Sequence, residues 1–84
     1  MQEEVTAMPQ RSMNELNTGE SAKVVRLLIH GSMRRRLLDI GLVEGTSVEC
    51  VGRSPSGDPS AYLIRGAVIA IRSEDCRDIL IEKE

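Results

Sequence analysis

Hydrophobic spacing divides the chain at its middle. From Met33 to Ile40 the apolar residues Met33, Leu37 and Ile40 recur at i, i+4 and i+7, while Arg35, Arg36 and Asp39 fall largely on the other side, which predicts an amphipathic helix over Ser32 to Ile40. Ser32 is suited to cap its start, and Gly41 stands where a helix needs a left-handed residue to stop. Everything after that stop has strand character. Thr46, Val48 and Cys50 alternate with Ser47, Glu49 and Val51, which predicts a strand over Thr46 to Val51 after the reversal at Glu44-Gly45.

Ahead of the helix, Ala22 to Ile29 is a largely apolar run with Lys23 and Arg26 as its polar breaks, a strand covered in part on both faces. Leu16 and the turn Thr18-Gly19-Glu20 lead into it. Ser54-Pro55-Ser56-Gly57-Asp58-Pro59 concentrates turn formers and lacks two backbone donors, so it predicts an exposed loop between antiparallel strands. Strands over Ser60 to Arg65 and Ala67 to Ile71 follow, separated by Gly66. Ser73, with Glu74 and Asp75 behind it, signals one helical turn, and Ile79 to Ile81 closes the pattern. The sum is a mainly β fold: a small, partly open barrel of five strands, with one short α-helix after the first strand and a single helical turn before the last.

With 84 residues the chain holds one domain near the lower limit for a self-sufficient core, too small for a large active-site cleft. Residues Met1 to Met13 show neither period and are expected to be a disordered extension, leaving 14–84 as the folded domain. A net charge of -2 gives no field for indiscriminate binding of nucleic acid or membrane surface. No apolar run approaches the ~20 residues that span a bilayer, so the chain reads as cytoplasmic. Cys50 and Cys76 lack the C-x-x-C spacing of metal or redox pairs and read as buried small hydrophobes.

The order and spacing of several short motifs resemble one family. Leu16 and Gly19-Glu20 precede the first strand; Arg36-Leu37-Leu38-Asp39-Ile40-Gly41-Leu42 with Gly45-Thr46, Gly57-Asp58-Pro59, Gly66, Ile69-Ala70-Ile71-Arg72, Ile79 and Ile81 follow. Together they resemble the FeoA family, ferrous iron transport protein A, over residues 14–82. The resemblance implies an SH3-like barrel, a cytoplasmic location and support of ferrous iron uptake through binding to the membrane GTPase transporter FeoB, with no step at the membrane except through that transporter. It also implies an alternative, because similar domains occur at the C-terminus of diphtheria toxin repressor-like regulators: a metal-responsive regulatory module acting on another protein. The stretch before Met13 departs from the family pattern.

An SH3-like fold does not bring SH3-like ligand binding with it. A polyproline groove needs several aromatic residues, single-stranded nucleic acid needs aromatic platforms, and Tyr62 is the only aromatic residue in the chain. No nucleophile elbow, P-loop or paired-carboxylate spacing points to an enzyme. The residues expected to meet a partner are Arg35 and Arg36 on the helix, Leu42 and Val43 at the corner after it, and Arg53 and Asp58 around the Pro-rich loop. For the two arginines the competing reading is a solvated helix face with Asp39 as a local partner; for the loop it is a plain connector. His30, between the first strand and the helix, is the one candidate for a divalent metal contact, ferrous iron or zinc, against the simpler reading of a surface histidine. No cofactor is required. Self-association through an unclosed barrel edge is left open by so small a fold.

Overall fold

The computed structural model describes residues 11–83. Its elements are β1 (Arg11–Ser12), a 3-10 turn (Met13–Glu15), β2 (Ser21–Leu27), α1 (Gly31–Asp39), β3 (Ser47–Arg53), β4 (Ser60–Ile64), β5 (Ala67–Ile71), α2 (Ser73–Cys76) and β6 (Ile79–Lys83). The strands form one antiparallel sheet in the order β1-β6-β2-β3-β4-β5. β1 and β5 end the sheet without pairing with each other, so the barrel is open along that seam. β2 bulges between Val24 and Arg26 and β3 between Cys50 and Gly52, and each extra residue bends its strand around the core.

All five expected strands are present, and the alternation in β3 falls as expected, with Thr46, Val48 and Cys50 buried while Ser47 and Val51 face out. A sixth strand was not legible. Arg11 pairs with Ile81 and Ser12 with Leu80, and Met13 is fully buried, so the fold begins at least three residues before the expected boundary at Asn14. Two residues are too few to show a period, and Met13 is placed by contacts distant in sequence. The rest of the expected extension, residues 1–10, lies outside the described residues.

The core is built from Ile, Leu and Val around Tyr62 and Met13. The Tyr62 hydroxyl donates to the Met13 carbonyl at 3.4 Å and accepts from the Cys76 thiol at 3.5 Å, which ties the N-terminal turn, β4 and α2 together. Burial raises both acids: Tyr62 moves well above its ordinary value, and the Cys76 thiol is pushed up to about 11. Cys50 and Cys76 are free and buried, the small hydrophobes the sequence suggests.

α1 is not capped by the serine expected: its N-cap is His30, not through its side chain, and Ser32 lies inside the first turn. The helical turn signalled by Ser73 does begin there, as α2, behind the N-cap Arg72. Outside the core, Lys83 Nζ lies 2.8 Å from Glu20 Oε2. The Asn17 backbone N–H and that ammonium hold the Glu20 carboxyl below the usual carboxylate range.

Candidate functional site

The corner between α1 and β3 is fixed by its own backbone. Gly41 N–H bonds the Leu38 carbonyl at 3.0 Å and Leu42 N–H bonds the Leu37 carbonyl at 2.9 Å, the paired bonds of a Schellman ending, with Gly41 at φ 97°. A Cβ at Gly41 would meet only the flexible, exposed Arg65 side chain, which can move aside, so it is the backbone angle that calls for glycine. Leu37 and Leu42, the apolar pair that closes such an ending, are both fully buried.

Thr46 completes the corner. Its hydroxyl accepts from the Val43 N–H at 3.0 Å and donates to the Gly41 carbonyl at 3.1 Å, while the Val24 N–H bonds the Thr46 carbonyl. On the other side of the helix, Arg34 Nη1 donates to the carbonyls of Leu27 and Ile29 at 3.1 and 3.4 Å, which pins α1 to the end of β2. With both sides of α1 held, Arg35, Arg36, Leu38 and Val43 face solvent. Leu38 is 39% and Val43 44% exposed, high for large apolar side chains. Two adjoining shallow grooves meet at Arg34 and Leu38, one running to Arg35 and Asp39, the other to Leu27, Val43 and Glu44. The surface is thus an apolar strip edged by both signs of charge.

The residues singled out in the sequence separate into two groups. Arg35, Arg36 and Val43 are exposed at this corner, and the two guanidinium groups make no ion pair or side-chain hydrogen bond among the described residues. Asp39, expected as their partner, makes none either. Leu42 is corrected: it is a core residue, drawn inward by the Schellman ending, and offers nothing to a partner.

Arg53 and Asp58 have structural work. Arg53 donates to Ser60 Oγ at 3.1 Å and to the Leu16 carbonyl, binding the loop flanks to the N-terminal lead-in. Asp58 Oδ1 accepts from the Ser73 N–H at 2.9 Å and Oδ2 from the Ser73 hydroxyl at 3.4 Å, so it caps α2 from across the fold. Sequence reasoning missed Arg34, Thr46 and Leu38. The only available signal was for Leu38, which follows the buried Leu37 and therefore points about 100° away from it.

His30 is exposed at the start of α1. No group of three or more His, Cys, Asp or Glu side chains suited to holding a metal occurs among the described residues. No helix among the described residues is long and apolar enough to cross a membrane.

The model of the FeoA domain family matches residues 11–83. The chain belongs to the FeoA domain family. Over 70 residues it is 36% identical to the Fe(2+) transport protein A/Fe(2+) transporter FeoB fusion protein of Porphyromonas gingivalis; the match takes in 83% of this chain and 8% of that much longer protein. The solution structure of FeoA from Chlorobium tepidum superposes with a TM-score of 0.83 at 29% identity, over 87% of this chain and 70% of that one. FeoA of Stenotrophomonas maltophilia, a zinc complex described as a prokaryotic SH3 domain protein, gives a TM-score of 0.76 at 25% identity, over 86% of this chain and 89% of that one. The expected SH3-like class is therefore met. FeoA domains are linked to ferrous iron transport, and in the P. gingivalis relative one is joined to the transporter itself.

Proposed function

We propose that this chain is a non-enzymatic, cytoplasmic accessory protein that binds the cytoplasmic part of a FeoB-type transporter and so supports ferrous iron uptake. The observation that carries the reading is the fusion: in the P. gingivalis relative, a stretch like this one and FeoB share a polypeptide. A covalent link holds two modules at high effective concentration, and a separate chain needs a docking surface to reach the same proximity. The α1 corner supplies one. Val43 and Leu38 offer apolar contact, Arg35 and Arg36 offer cations without side-chain partners among the described residues, and the Thr46 clasp and the Arg34 anchor hold them rigid before binding, which lowers the ordering cost.

The role needs neither a catalytic group nor a resident cofactor. Nucleic acid is not a partner in this reading, because the net charge is -2 and the only aromatic residue is buried, leaving no base-stacking platform. His30 is left as a surface residue, and anaerobic titration of ferrous iron or zinc against a His30→Ala variant checks that: equal binding by both proteins is expected.

The test is anaerobic uptake of labelled ferrous iron in cells that lack this chain but keep an active FeoB. Restoring the chain is expected to restore uptake, and restoring it with Arg35 and Arg36 both replaced by Glu is expected not to. Uptake that is the same with and without the chain would defeat the transport role and leave regulation of another protein as the leading account.

A further inference from the structure

β5 ends the sheet, so one of its hydrogen-bonding rims faces β4 and the other faces away from the sheet. The hairpin decides which groups lie on each rim. Arg65 at φ 49° and Gly66 at φ 86° form the two-residue turn in which both positions are left-handed, closed by the pair Ile64 and Ala67. The closing pair of such a turn exchanges hydrogen bonds, and bonded and non-bonded pairs then alternate along the ladder. Ala67, Ile69 and Ile71 therefore bond to β4, while the N–H and C=O groups of Val68 and Ala70 point away from it. No strand lies beyond them among the described residues.

Edge strands are usually guarded by a charge, a proline or a bulge. β5 reads Ala-Val-Ile-Ala-Ile, has none of these, and pairs with β4 in unbroken register over its whole length. Val68 is 64% exposed, the highest value among the exposed large apolar residues. The far side of the sheet is finished differently: β1 is two residues long, and β6 runs out in the charged Glu82 and Lys83.

We propose that β5 is a self-association edge, on which a second copy of this chain lays its own β5 antiparallel across a two-fold axis at Ile69. That axis sets Val68 against Ala70 of the second copy and Ala70 against its Val68, so each pair is made of two outward-bonding residues and exchanges both hydrogen bonds. Side-chain size is complementary in the same register. Val68 covers the small Ala70. Ala67 to Ile71 carries no charge, so the like charges brought nearest each other are the solvent-exposed Arg72 and the Arg65 of the second copy, outside the paired strand at each end. The contact involves few residues on each side, so the dimer is a concentration-dependent one rather than obligate.

Sedimentation equilibrium of the full chain over a range of concentrations, with amide exchange read residue by residue, tests the proposal. The mass is expected to rise from one copy toward two, and the Val68 and Ala70 amides to gain protection in step with it. Val68→Lys and Ala70→Pro each act on the outer rim without touching a β4 hydrogen bond, and each is expected to weaken the dimer about tenfold or more while melting close to the parent. If Ala70→Pro does not fold, Val68→Lys carries the test alone. A mass that stays at one copy up to about 1 mM, a dimer unchanged by Val68→Lys, or Val68 and Ala70 amides equally protected at every concentration would each overturn it.

Discussion

Two ends of this small barrel carry similar exposed residue types and use them in opposite ways. Around the Pro-rich loop the polar groups are turned inward on the fold: Asp58 caps α2 through Ser73, and Arg53 holds Ser60 and the Leu16 carbonyl. At the α1 corner the bonds that hold the structure come from Arg34, Thr46 and the backbone, and Arg35, Arg36, Leu38 and Val43 are left over. An exposed charge says little about function until its hydrogen bonds are accounted for. Once they are, the first end is a structural seam and the second is a surface available to a partner.

The sharpest test of that contrast uses neighbouring residues. Leu42→Ala is expected to cost about 2–5 kcal/mol, since it empties part of a core that has no large aromatic cluster to absorb the gap, and chemical denaturation measures it. Val43→Ala, one residue on and 44% exposed, is expected to stay within about 1 kcal/mol of the parent while weakening binding to the FeoB cytoplasmic region. Equal stability losses would erase the distinction between core and surface at this corner.

A smaller effect comes from pH. A free thiol releases its proton at about 8.5, whereas burial holds that of Cys76 to about 11. Between those values the folded chain keeps a proton that the unfolded chain has lost, so stability is full below the window and falls as pH rises through it. Melting curves from pH 7 to 11 are expected to show this decline, and a Cys76→Ala variant, less stable at pH 7, is expected to show a shallower one. Parallel curves would mean that the thiol does not carry the slope.

Much of this fold was legible because its elements announce themselves locally. The helix period, the Gly41 stop and the alternation of Thr46, Val48 and Cys50 are short-range patterns, and each was met. What was not legible depends on contacts distant in sequence. β1 is defined by pairing with β6, Met13 by the Tyr62 hydroxyl, and the cap of α2 by Asp58, fifteen positions before Ser73. The candidate site shows the same division. Arg35, Arg36 and Val43 could be placed by helix geometry and turn position, but Leu42 could be assigned to the core only once the Schellman ending was seen, and Arg34 only once its reach to the Leu27 carbonyl was known.

At the seam, Asp58→Ala is expected to cost about 1 kcal/mol by leaving the Ser73 N–H without its cap, with α2 fraying first in amide exchange. If that variant keeps its stability but loses transporter binding, the seam is the docking surface and the comparison runs the other way.

The smallest stability effect belongs to the pair with the largest expected effect on binding. The Arg35 and Arg36 side chains make no ion pair or hydrogen bond among the described residues, so replacing both with Glu is expected to shift stability by no more than about 0.5 kcal/mol. Reversing both charges beside an apolar strip is nevertheless expected to abolish docking, because like charge at a formed interface is strongly unfavourable. Titration of the variant against the isolated FeoB cytoplasmic region separates the two quantities. Loss of binding with an unchanged melting temperature assigns the arginines to recognition. Retained binding makes them a solvated helix face, and the apolar strip of Leu38 and Val43 must then account for docking without them.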